Sequence, residues 1–138
     1  VAYTYYRDVV EMAAVCDVMI CVTPGGAGTK GIVNADVLEA LGPQGTLVNV
    51  SRGSVVDEAA LIEALQTGKL GWAGLDVFEA EPVIPQPMRE LSNTVLLPHV
   101  GSATVETRLA MGQLAVDNII QHQRDNTMLT KVPEHEGR

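Results

Sequence analysis

Thr46-Leu47-Val48-Asn49-Val50 is a short apolar run, Ser51-Arg52-Gly53-Ser54-Val55-Val56 follows it as a loop, and Asp57 opens a stretch carrying Leu61, Ile62 and Leu65 that stops at Gly68. Leu70 to Phe78 is apolar again. Strand, loop, helix and strand in that order make a βαβ unit, which places its two strands side by side in a parallel sheet. The punctuation agrees: an aspartate oxygen can take a free N–H of the first helical turn, and glycine is favoured just past a helix end.

The same arrangement lies upstream. Asp17-Val18-Met19-Ile20-Cys21-Val22 is a continuous apolar run, the pattern of a strand covered on both faces, and the loop Pro24 to Gly28 ends it. Asn34 then caps a short helix with Val37, Leu38 and Leu41 on one side and Gly42 as its stop. Downstream, Pro82, Pro85 and Pro87 predict an irregular loop leading into the strand Thr94 to Leu97. Val105, Leu109, Gly112, Val116 and Ile119 recur at spacings of three and four, which predicts an amphipathic helix of about five turns. The pattern fades after Gln123, leaving 124–138 as a surface tail.

Composition narrows the function. The 138 residues are 46% hydrophobic and 19% charged, which suits a packed core. A net charge of −8 with scattered Lys and Arg opposes a nucleic-acid partner. The apolar runs fall well short of the ~20 residues that cross a bilayer, so no membrane association is expected and the protein is assigned to the cytoplasm. Cys16 and Cys21 have no CxxC spacing and are expected as buried thiols. Val1 is not an initiator methionine, and the opening Val1-Ala2-Tyr3-Thr4-Tyr5-Tyr6 suggests the middle of a longer chain.

In a parallel sheet the loops leaving the carboxyl ends of the strands share one edge, where ligands bind in open α/β folds. Arg52 follows one strand, Asp76 and Glu81 close or follow another, and His99 follows a third, so all should line one crevice. An arginine can grip a carboxylate by a two-pronged contact, a histidine can exchange a proton near neutral pH, and a carboxylate can hold that imidazole charged. Taken singly, each has an ordinary alternative: a surface cation, a solvated acid beside Glu79, a loop histidine bonded to backbone. Gly25-Gly26-Ala27-Gly28-Thr29-Lys30-Gly31 lacks the GxxxxGK[ST] spacing, is read as not GxGxxG, and is taken as a tight loop near a ligand rather than a nucleotide cradle. His122 and His135 have no Cys or His at ligand spacing, so no metal is expected.

Asn49-Val50-Ser51-Arg52-Gly53-Ser54-Val55-Val56-Asp57, Gly74-Leu75-Asp76-Val77-Phe78-Glu79-Ala80-Glu81-Pro82 and Leu97-Pro98-His99-Val100-Gly101-Ser102-Ala103-Thr104 together resemble the D-isomer-specific 2-hydroxyacid dehydrogenases, nearest the glyoxylate and hydroxypyruvate reductase branch. The resemblance runs from about Tyr3 to Gln121. It implies an α/β fold: part of a Rossmann-type doubly wound parallel sheet over 1–101 that lacks its first βαβ unit. A long carboxyl-terminal helix over 102–123 would then return toward an absent substrate domain.

The resemblance also implies roles. Arg52 would anchor the carboxylate of a small 2-oxo acid, His99 would be the general acid/base, and Glu81 would be its partner. Asp76 would contact the nicotinamide end of NAD or NADP, with Pro24, Thr29, Val50, Ser51, Gly101 and Ser102 adding backbone and small-side-chain contacts. Formate dehydrogenases of the same superfamily carry glutamine where Glu81 stands, so the acid favours a reductase. The complete protein is expected to be a homodimer, and this chain alone, without the dinucleotide turn, a poor catalyst. A coenzyme-sensing scaffold like the C-terminal-binding-protein corepressors and an inactive remnant are the alternatives.

Overall fold

The computed structural model describes residues 3–131. They fall into two compact units, one up to Gly101 and one from Ser102 on.

The first unit is built on four strands, β1 (Val18–Cys21), β2 (Thr46–Asn49), β3 (Trp72–Leu75) and β4 (Thr94–Leu96). They lie in chain order and every neighbouring pair is parallel. The connections carry α2 (Ala35–Leu41), α3 (Glu58–Thr67) and the one-turn α4 (Gln86–Arg89), and α1 (Val9–Ala13) precedes β1. The expected caps are in place: Asn34 Oδ1 accepts the Val37 N–H at 3.1 Å, and Asp57 Oδ1 accepts the Ala60 N–H at 3.0 Å. Gly68 closes α3 in the left-handed conformation. Helix α1 went unrecognised in the sequence because its five residues are too few to show a period; its signal is Asp8, whose side chain accepts from Val10 and Glu11.

Three expectations about the first unit's elements need correction. The proline-rich stretch is not wholly irregular, since Pro85 caps α4 and Pro87 lies in its first turn. There a missing N–H removes no helical hydrogen bond. Second, β1 is not covered on both faces among the described residues. Met19, Cys21, Leu47, Ala73 and Leu75 join Val37, Leu38, Leu41, Leu61 and Leu65 in the core, whereas Val18, Ile20, Trp72 and Val95 on the opposite face are 53%, 59%, 57% and 64% exposed. The described helices α2 and α3 thus pack on one face only. Strand β3 is also shorter than the apolar run, because Asp76 to Phe78 leave the sheet at its carboxyl edge. Both cysteines are free; burial pushes the Cys21 thiol up to about 11, as befits a core residue, whereas Cys16, expected buried as well, is only partly so.

The second unit holds α5 (Val105–Asp125), which runs two residues past the expected end. Thr104 caps it through the Thr107 N–H, and Asn126 ends it with a left-handed φ of 61°. The chain then folds back on the helix, with the Thr130 N–H donating to Asn118 Oδ1 at 3.1 Å. The remainder of the expected tail, 132–138 with His135, lies outside the described residues. No described helix is long and apolar enough to cross a membrane.

Candidate active site

Because the four strands run one way, the loops after β1, β2, β3 and β4 meet at one edge. They enclose an open cleft of about 980 Å³ lined by Val22 to Gly26, Val50 to Ser54, Phe78 to Glu81 and His99. Arg52, Glu81 and His99, which come from three different loops, therefore share one cavity.

The imidazole is held by a carboxylate that is itself held. His99 Nδ1 lies 2.8 Å from Glu81 Oε2, while Glu81 Oε1 accepts the Phe78 N–H at 3.0 Å, so the carboxylate is fixed by its own loop before it touches the ring. The His99 hydrogen bond, then the Phe78 N–H and the nearby His99 and Arg52 charges hold the Glu81 carboxyl below the usual carboxylate range, against a smaller opposing effect of burial. An ionised carboxylate only accepts, so Nδ1 carries its hydrogen and Nε2 is the atom that can exchange a proton. The histidine backbone is held as well. Its φ of 54° is a left-handed conformation that costs a non-glycine residue roughly 1–2 kcal/mol. The next two N–H groups, of Val100 and Gly101, both donate to the buried Asp76 carboxylate, at 2.7 and 2.8 Å. These charge-assisted bonds offset the local strain.

The arginine loop is equally built. Arg52 Nη1 donates to the Ser51 carbonyl at 2.6 Å, one of the five donors a guanidinium has. Gly53 allows the loop after β2 to lie against the loop after β3: a Cβ there would overlap the backbone of Phe78 and Glu79. Asn49, to which the sequence assigned no role, is buried with both ends of its amide engaged by Ser51 and Arg52. Its signal was a polar residue at a core-facing position of an apolar strand.

Of the residues expected at a coenzyme, Pro24, Val50 and Ser51 line the cleft. Thr29 lies outside the lining and donates its hydroxyl to the Pro24 carbonyl at 2.7 Å, bracing that loop. Asp76 and Gly101 meet each other behind His99. Ser102 belongs to the second unit. Contrary to the expectation above, Gly26-Ala27-Gly28-Thr29-Lys30-Gly31 satisfies the GxGxxG spacing letter by letter. Its context is nonetheless wrong for a dinucleotide turn: the chain makes a turn there, and the next helix begins only at Ala35.

A one-way sheet whose following loops gather a guanidinium, an imidazole and its carboxylate partner at the carboxyl edge has the layout of a Rossmann-type coenzyme domain. Residues 1–101 match the family model described as D-isomer specific 2-hydroxyacid dehydrogenase, NAD binding domain. The chain belongs to that family. It is 50% identical over 130 residues to the hydroxyphenylpyruvate reductase of Plectranthus scutellarioides, covering 94% of this chain and 42% of that protein. It is 49% identical over 132 residues to a glyoxylate/hydroxypyruvate reductase A of Arabidopsis thaliana, covering 96% of this chain and again 42% of the relative. Among solved structures, the NADPH-dependent glyoxylate/hydroxypyruvate reductase of Sinorhizobium meliloti, crystallised with NADP and malonate, superposes with a TM-score of 0.95 at 51% identity, over 97% of this chain and 42% of that one. The chain thus spans about two-fifths of the length of the relatives it matches.

Proposed function

We propose that this chain is the carboxyl-terminal catalytic portion of an NAD(P)-dependent reductase that converts a small 2-oxo acid, such as glyoxylate or hydroxypyruvate, to the 2-hydroxy acid. The observation that carries the reading is the 2.8 Å contact between His99 and Glu81 in the cleft that Arg52 also lines.

The cleft lining suits a coenzyme ring: Gly26, with open space where a side chain would stand, and the small Ser51 present little bulk to a flat group. Asp76 would contact the nicotinamide end, with Pro24, Thr29, Val50, Ser51 and Gly101 adding mainly backbone and small-side-chain contacts. When bound, NAD or NADP supplies the hydride for the carbonyl carbon. Arg52 binds the substrate carboxylate through charge-assisted hydrogen bonds and sets the carbonyl beside His99. As negative charge develops on the carbonyl oxygen, His99 donates the Nε2 proton to it, while Glu81 stays ionised and keeps the ring oriented through Nδ1. In the oxidative direction neutral His99 accepts the hydroxyl proton at Nε2. A cytoplasmic homodimer is part of the same proposal, resting on the family and on two free cysteines.

The test replaces the matching carboxyl-terminal part of the Sinorhizobium meliloti reductase with this chain and follows NADPH consumption with glyoxylate and hydroxypyruvate. Turnover is expected, and His99→Ala should lower kcat by about 10²–10⁴-fold while coenzyme still binds. Full activity of His99→Ala would overturn the assignment. No turnover by the unaltered hybrid, with NADPH bound, would favour a coenzyme-sensing scaffold. The 138 residues alone should show little or no activity.

A further inference from the structure

Strand β2 ends at Asn49, and past it the ladder gives out. The Val50 N–H still donates to the Cys21 carbonyl at 3.3 Å, but the next N–H, of Ser51, has no strand partner. The Asn49 side chain takes over. Its Oδ1 accepts the Ser51 N–H at 3.0 Å and the Ser51 hydroxyl at 2.8 Å, and its Nδ2 donates to the Arg52 carbonyl at 3.0 Å. The amide therefore grips the peptide units that flank the Ser51-Arg52 pair, 50–51 through the Ser51 N–H and 52–53 through the Arg52 carbonyl. The guanidinium leans on the same frame, since Arg52 Nη1 donates to the Ser51 carbonyl at 2.6 Å.

Position 49 alternates with Leu47 on the covered face of the sheet, and Asn49 is 1% exposed. An apolar residue would satisfy such a site with no desolvation penalty, so the amide is present for the turn it makes. Its own carbonyl accepts the Asp76 N–H at 3.0 Å, which ties this turn to the end of β3.

Resting on the function proposed above, we infer that Asn49 is a positioning residue that presets Arg52 for the carboxylate of the 2-oxo acid. Loosening the Ser51-Arg52 peptide moves the guanidinium off its mark while His99, held by Glu81 and Asp76, stays in place. Substrate binding should then suffer far more than the proton transfer.

The experiment is a double-mutant cycle in the hybrid reductase. Asn49→Ala should raise KM for glyoxylate about tenfold or more, the loss of one hydrogen bond to a charged group, and leave kcat within about threefold with the same pH profile. In an Arg52→Ala background the same change should alter KM by less than about twofold, because its effect passes through Arg52. A merely structural asparagine would act equally in both backgrounds, and that result overturns the inference. So does a fall in kcat with KM unchanged. If thermal unfolding shows that Asn49→Ala does not fold, Asn49→Asp serves, since it is isosteric, keeps both Ser51 donors paired and replaces the donor to the Arg52 carbonyl with a carboxylate oxygen that cannot donate. An unchanged KM in Asn49→Asp overturns the inference as well. Should the unaltered hybrid lack turnover, the functional reading fails separately. Side-chain ¹⁵N spectra of the 138-residue chain then decide: Asn49→Ala should shift and average the Arg52 guanidinium signals and leave those of Arg89 and Arg108 unmoved. Unchanged Arg52 signals overturn it.

Discussion

Glu81 joins His99 through Oε2 at 2.8 Å and its own loop through Oε1 at 3.0 Å, so one carboxylate both pairs with the imidazole and fixes its direction. Glu81→Gln removes the charge and keeps the size. Catalysis in the hybrid reductase should fall by about 10²-fold in kcat/KM. The stability consequence has a definite sign. The folded Glu81 carboxyl is held below its ordinary value of 4.5, so its contribution is complete above that value and lost as pH falls through the lower folded one. The difference in melting temperature between wild type and Glu81→Gln should therefore be constant from neutral pH down to about pH 5 and shrink in stronger acid. A difference that grew on acidification would contradict the pairing.

Arg52→Lys keeps the positive charge but replaces a planar fork with a single ammonium, which cannot form two parallel bonds to a carboxylate. It also loses the contact that rests the guanidinium on the Ser51 carbonyl. KM for a 2-oxo acid should rise about 10–100-fold, the range set by one or two charge-assisted hydrogen bonds. Coenzyme affinity, measured by NADPH fluorescence, should be little changed, since the proposed coenzyme contacts come from other residues.

The convergence of Arg52, Glu81 and His99 was legible because it follows from strand direction alone: parallel strands deliver their following loops to one edge. Caps at Asn34 and Asp57 were legible because their chemistry is local. What stayed hidden depends on partners far along the chain. Whether Val18 and Ile20 are covered is decided by other elements, and no pattern within β1 contains that information. The bond from Val100 and Gly101 back to Asp76 spans 24 and 25 residues and has no sequence spacing of its own. Asn49 was passed over for the opposite reason: its partners are the adjacent backbone of Ser51 and Arg52, and an asparagine after Val48 looks like any strand end.

Gly53 is where two active-site loops come closest. A Cβ at this position would overlap the Phe78 carbonyl and the Glu79 nitrogen, backbone atoms that cannot rotate aside. Gly53→Ala should therefore separate the Arg52 loop from the Glu81 loop and lower stability by about 1–3 kcal/mol, the usual range for overpacking. A raised KM in the hybrid reductase measures the first effect, and urea unfolding of the chain measures the second. A variant as stable as wild type with unchanged KM would show that the loops are not in register as described.

The sheet's two faces should respond unequally to the same kind of truncation. Leu47, in β2, is fully buried among the helices' apolar residues, and Leu47→Ala leaves a cavity there. Its expected cost is about 2–5 kcal/mol, the transfer term plus the part of the cavity that cannot collapse. Val95, in the edge strand β4, is 64% exposed on the opposite face, so Val95→Ala removes atoms that water already touches and should change stability by about 0.5 kcal/mol or less. Urea unfolding of the 138-residue chain compares the two directly through their midpoints. The same comparison in the hybrid reductase adds a further reading: if Val95→Ala costs much more there than in the chain alone, the open face is covered in the longer protein, and if it stays near zero, that face remains in water.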